Sequence, residues 1–167
     1  DLARSTLGWP IRIDTQVLNL DARTIEGVDL AATWRLDGTQ FGDFRFGVDV
    51  ALLEKFDQTP SAESAALLAA GLPASAGGSL IEQDDNPRTR GSAYATWTSG
   101  AWEVTGAARY VGAVKDSSAL LYKGDDWLTF NATVGYAPQD GLLEGVALRV
   151  GVNNIADKDP PLADETF

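Results

Sequence analysis

Apolar and polar side chains alternate along six stretches of the chain. That is the period of a β-strand with one dry and one wet face. The first stretch covers about 23–36, with Val28, Leu30, Ala32, Trp34 and Leu36 opposite Asp29, Ala31, Thr33 and Arg35. The second, about 41–56, sets Phe44, Phe46, Val48, Val50 and Leu52 against Arg45, Gly47, Asp49 and Ala51. In the third, about 88–98, Ala93, Ala95 and Trp97 oppose Ser92, Tyr94 and Thr96. The fourth, about 101–113, has Trp102, Val104, Gly106, Ala108 and Tyr110 opposite Glu103, Thr105, Ala107 and Arg109. The fifth, about 126–137, places Leu128, Phe130, Ala132, Val134 and Tyr136 against Thr129, Asn131, Thr133 and Gly135. The sixth, about 145–154, places Val146, Leu148, Val150 and Val152 against Ala147, Arg149, Gly151 and Asn153. None of the dry-face residues just named carries a charge.

The connections alternate in length. Asp37-Gly38-Thr39-Gln40, Ser99-Gly100 and Pro138-Gln139-Asp140-Gly141 with a few more residues are hairpin signals. The links at 57–87 and 114–125 and the stretch 155–167 are long. All short turns therefore fall at one end of the sheet and all long loops at the other, the pattern of an outer-membrane barrel. Trp34, Phe44, Trp97, Trp102 and Tyr136 lie on the dry face near the short-turn end, where an aromatic girdle at one membrane interface belongs. Tyr110, with Phe56, makes a thinner second band. Trp102 and Tyr110 are eight positions apart, about 26 Å of extended strand, against an apolar band of about 25 Å.

A soluble antiparallel sandwich, such as a carbohydrate-binding module, shares the dry-wet alternation. Strict segregation of turn lengths, Trp and Tyr aligned along one edge, and long strands favour the barrel. The fold expected is all-β: an antiparallel, up-and-down, partial transmembrane barrel of about six strands. The stretch 9–20, with Ile11, Ile13, Val17 and Leu20, is expected to extend the loop-side end of the first strand. Within 57–87, the run 61–71 reads as one short helix, with Ser61 as N-cap and Gly71 just past its end. The uncharged run 64–81 holds too many Gly, Ala and Ser residues and one Pro to be a membrane helix.

Composition narrows the chemistry. Hydrophobic residues make up 44% and charged residues 22% of the 167, which excludes disorder and permits one domain. With 13 basic and 24 acidic residues, the formal charge of -11 argues against nucleic acid as a partner. The chain has no His and no Cys. Ser-His-Asp and Cys-His triads and thiolate zinc sites are thereby excluded, which leaves a barrel hydrolase weakly supported. No catalytic residue, cofactor or metal is expected. The acidic groups Glu82-Asp84-Asp85, Asp125-Asp126 and Asp157-Asp159-Asp164-Glu165 lack EF-hand spacing and read as solvated loop charge.

The run Gly151-Val152-Asn153-Asn154-Ile155-Ala156-Asp157-Lys158-Asp159-Pro160-Pro161 resembles the segment near the C-terminus of TonB-dependent outer-membrane receptors. Gly27-Val28-Asp29-Leu30 and Asn86-Pro87-Arg88 are similar to other parts of that family's barrel, and the likeness covers about 11–161. The resemblance implies a 22-stranded barrel closed by an N-terminal plug, of which this chain would supply strands 16 to 21. It implies uptake of a scarce ligand (siderophore, cobalamin or oligosaccharide) with energy delivered through TonB. It also implies contact with outer-membrane lipid and lipopolysaccharide. Residues 1–167 are expected to be a fragment of the C-terminal part of one barrel domain. No plug is recognised, the last strand is missing, and the piece is not expected to transport anything alone.

In a plugged barrel the wet face would line the lumen. That face carries Asp29, Arg35, Arg45, Asp49, Tyr94, Glu103, Arg109, Asn131 and Arg149. Two readings stay open for the charges: cross-strand ion pairs that stabilise the wall, or a surface that meets plug or ligand. The loop 57–87 is the expected ligand-touching region. Trp127, at the loop end of the wet side, either stacks on a ligand or packs against a loop; packing is preferred.

Overall fold

The computed structural model describes residues 2–4, 10–13, 21–83, 86–115 and 123–161. Its strands are β1 (Leu2–Arg4), β2 (Pro10–Ile13), β3 (Asp21–Thr39), β4 (Gly42–Pro60), β5 (Gly78–Ser79), β6 (Thr89–Ser99), β7 (Trp102–Val111), β8 (Val114–Lys115), β9 (Lys123–Gly124), β10 (Trp127–Tyr136) and β11 (Leu148–Val152). One helix, α1 (Ala62–Ala69), lies between β4 and β5. The chain divides into two compact units, residues 1–23 with 58–78 and residues 24–57 with 79–167.

The larger unit is built on one sheet. Its strand order is β11-β10-β7-β6-β4-β3, with β5 beside β4. The β11–β10, β10–β7, β7–β6 and β6–β4 pairings are antiparallel. Sequential strands are spatial neighbours, so the sheet is an up-and-down meander. Its edges β3 and β11 are not joined to each other among the described residues, and the wall is a partial barrel. Six strands match the six alternating stretches, although β11 has only five residues. β3 and β4 are longer than expected, at 19 residues each. That is about 60 Å of extended chain, so both overshoot an apolar band of about 25 Å even when tilted.

Register carries the alternation across the sheet. Phe44, Trp97, Val104, Val134 and Val150 form one cross-strand row. Val48, Ala93, Ala108 and Phe130 form another. These dry-face residues are not a core. Trp34, Val48, Trp102, Phe130 and Val150 are 63%, 44%, 48%, 44% and 71% exposed, and Phe56 is the one buried hydrophobic among the described residues. An apolar sheet face of this extent left open to its surroundings is a contact surface, and it is the face that the barrel expectation turns to lipid. No described helix is long and apolar enough to cross a membrane, which says nothing of crossing by strands.

Four expectations change. Phe56 is buried rather than part of a lipid-facing band; its carbonyl accepts the Leu80 amide at 2.6 Å where the chain returns from the loop. Pro10–Ile13 pairs with β1 instead of prolonging β3, while 14–20 lies outside the described residues. The link after β10 runs over 137–147, longer than its turn signal, and the sixth strand starts at Leu148 rather than 145. Continuing the Tyr136–Leu148 register would set Val146 against Pro138, which has no amide to give. The loop after β7 contains the small β8–β9 ribbon, too short for periodicity to reveal.

The smaller unit holds α1, as the 61–71 signal predicts. Ser61 is the N-cap and its hydroxyl accepts the Ser64 amide at 3.1 Å. Gly71, at φ 73°, ends the helix. The Gly71 and Leu72 amides close back on Leu68 and Leu67 at 2.9 Å each, which is a Schellman ending.

Candidate functional site

The wet face of the sheet gathers the charged positions into rows. Arg45, Thr96, Thr105 and Thr133 share one register row, and the Thr96 and Thr105 hydroxyls are 2.9 Å apart. Asp49, Ser92, Arg109 and Thr129 share another, in which the Ser92 hydroxyl donates to Asp49 at 2.6 Å. Tyr94 and Asn131 fall in the row of Gly47 and Ala107. Gly47 is required there, because a Cβ would run into the Tyr94 ring that lies across it.

Asp29 joins Asp49, Arg90, Ser92 and Arg109 around a hollow of about 420 Å³. A second hollow, about 320 Å³ and nearer the turns, holds Asp37, Asp43, Arg45, Thr96, Thr98 and Glu103. Arg35 stands six positions after Asp29 in β3, an even spacing that puts both on one face.

Glu103 and Arg149 flank Gly135 in register and form an ion pair of 2.9 Å above it. Both side chains are well exposed, so the pair adds little stability. Cross-strand pairing therefore accounts for Glu103 and Arg149. It does not account for Arg35, Arg45 or Arg109, which make no ion pair with a described residue. Their charges remain available to whatever meets the wet face.

The opposite face carries the aromatics. Trp102 and Tyr136 are in register with ring centroids 4.6 Å apart. Phe44 stacks on Phe46 at 6.3 Å, and Trp34 tilts against Phe46 at 6.0 Å. The Trp97 indole donates to the Phe41 carbonyl at 2.6 Å. These contacts cluster within a few residues of the β3–β4, β6–β7 and β10–β11 turns. Tyr110 stands eight positions up β7 from Trp102.

Beyond β11 the chain makes a compact polar turn. The Asn154 side chain brackets Lys158, accepting its amide at 3.1 Å and donating to its carbonyl at 3.0 Å. Asn131 accepts the Asn154 amide at 2.8 Å, the Lys158 ammonium donates to the Asp126 carbonyl at 2.9 Å, and the Trp127 indole donates to the Lys158 carbonyl at 3.3 Å. Trp127 thus packs against a loop. Sequence reasoning gave Asn131 a place on the wet face but missed its capping role, because only register brings it to Asn154. Asp84, Asp85, Asp164 and Glu165 lie outside the described residues. Among the described residues no group of acidic side chains is arranged to hold a metal ion.

At the start of β3, Asp21 accepts from the Ser64 hydroxyl at 2.7 Å, the Gln58 amide at 2.5 Å and the Ser61 backbone at 3.4 Å. The bond from Ser64 above all, and those from Gln58 and Ser61 after it, hold its carboxyl below the usual range against the opposing effect of desolvation. Sequence reasoning did not single out Asp21; its partners are remote in the chain.

Fold and faces together define the wall of an outer-membrane β-barrel: an up-and-down sheet with an open apolar face, an aromatic edge and a charged reverse. The family model described as "TonB dependent receptor-like, beta-barrel" matches residues 3–155. The chain belongs to this family of outer-membrane receptors and transporters. No curated protein and no solved structure matches it. Family membership displaces the soluble sandwich, and the family is one of receptors rather than enzymes.

Proposed function

We propose that this chain supplies a C-terminal part of the barrel wall, within residues 1–167, in a receptor that takes up a scarce ligand of siderophore, cobalamin or oligosaccharide class. The carrying observation is the division of one sheet into an uncharged exposed face and a face with arginines that no described carboxylate pairs. The first suits lipid and lipopolysaccharide. The second suits a water-filled or plugged lumen. In this reading Asp29, Arg35, Arg45, Asp49, Tyr94, Glu103, Arg109, Asn131 and Arg149 face the lumen. Trp34, Phe44, Trp97, Trp102 and Tyr136 form one girdle, and Tyr110 marks the other interface.

The plug meets the charged rows, and TonB acts on that plug from the periplasmic side. The loop 57–87 lies on the outer side and contacts the ligand. The test is uptake of labelled ferric siderophores, cobalamin and oligosaccharides by cells expressing the full receptor, with and without TonB. Accumulation of one class only when TonB is present supports the reading. Accumulation of none, or of a class independent of TonB, contradicts it.

A further inference from the structure

We propose that the Asp21 carboxylate is a clasp with two states, which decides whether the segment 61–77 is docked on the strand ends or free. This goes beyond the uptake reading and stands whatever the ligand. Donors from two successive elements converge on one carboxylate far away in the chain: Gln58 at the end of β4, and Ser61 and Ser64 at the start of α1, all meeting Asp21 at the start of β3. Ser75, on the returning chain, joins through the Gln58 amide at 2.9 Å. Arg23 joins the set, its Nε donating to the side-chain oxygen Oε1 of Gln58 at 3.1 Å.

Little apolar contact holds this segment, since Leu67 is its one half-buried leucine. Leu68 and Leu72 are 40% and 51% exposed, whereas Ser64 is 1% exposed and is the one fully buried side chain among the described residues. A helix of eight residues is marginal by itself. Docking and helix formation therefore depend on the same few hydrogen bonds, and removing one leaves the buried Ser64 hydroxyl without its charged acceptor. Such a segment opens as a unit instead of fraying. The lowered carboxyl pKa agrees, since the docked state favours the ionised form.

The test is hydrogen exchange on the full outer-membrane protein in lipid, comparing wild type, Asp21→Asn and Ser64→Ala. Asp21→Asn keeps the shape but aims an amide at the Gln58 donor. Ser64→Ala removes the buried donor and raises helix propensity, so loosening cannot come from a weaker helix former. Both variants are expected to accelerate exchange across 61–72 on the order of tenfold or more, with β6 and β7 unchanged. The proposal is overturned by unchanged exchange at 61–72, by acceleration in one variant only, or by equal acceleration in β6 and β7. The last result would make Asp21 a residue of the whole fold.

Discussion

The ladder of β6, β7 and β10 and the segment around Asp21 are held by opposite means. In the ladder, backbone pairing runs unbroken through Arg90–Val111 to Ser99–Trp102 and on through Trp127–Val111 to Tyr136–Trp102. Its side chains are left to the surroundings, apolar on one face and polar on the other. Around Asp21 the backbone changes direction repeatedly, and side-chain hydrogen bonds hold it. A barrel wall needs no core, because lipid supplies the apolar medium and closed pairing satisfies the amides. A loop in water has neither support and must bring its own donors and acceptors.

The largest break in this comparison comes from a charge on the lipid side. Gly106 lies midway between Trp102 and Tyr110, and a Cβ there meets nothing in the chain. Gly106→Arg is expected to cost about 2–4 kcal/mol in denaturant refolding into bilayers, with no steric contribution. Ala107→Arg, one residue on and facing the other way, is expected to cost less than about 1 kcal/mol. Equal costs would mean that the two faces do not differ in solvent.

Next in size is the close approach at Gly47. A valine there meets the Tyr94 ring, and a loss of about 1–3 kcal/mol is expected from overpacking. Adding Tyr94→Ala should recover most of it in a double-mutant cycle.

A pH effect separates the two regions without any mutation. Because the Asp21 carboxyl is held below its usual value, its contribution is full at neutral pH. It is lost as pH falls through the lowered folded value, below the ordinary carboxylate range. Exchange at 61–72, corrected for the intrinsic rate at each pH, should therefore rise in acid while the β6–β7 ladder stays protected. Asp21→Asn should remove that rise except for the part due to Glu63, whose carboxyl is also lowered, by its own backbone amide and by Ser61. Arg23 is the cation that faces this set, through its hydrogen bond to Gln58.

The smallest effect is expected at Glu103–Arg149. Glu103→Gln should change stability by less than about 1 kcal/mol, a difference that shrinks in high salt.

Much of the wall was legible in the sequence because a period of two over ten residues has few rivals. Trp102 to Tyr110 and Leu128 to Tyr136 announce their faces directly, and the observed register keeps them there. The cap at Ser61 and the ending at Gly71 were legible because both are local chemistry. What was hidden depended on partners distant in the chain. Phe56 continues the phase of Val50 and Leu52, yet the returning chain buries it. Asp21 looks like any loop carboxylate until Gln58 and Ser64 are brought to it. Likewise, Pro138 ends a pairing only because of the residue that register would set opposite.

The central claim is that the apolar face of this sheet meets lipid. Nitroxides placed singly at positions 128–135 of β10, in the full receptor reconstituted in bilayers, test it most directly. Accessibility to oxygen should peak at the even positions, Phe130 and Val134 among them, and exposure to a polar nickel reagent should peak at the odd ones. Protection of the even positions from both reagents would contradict the account, since it would bury that face in protein.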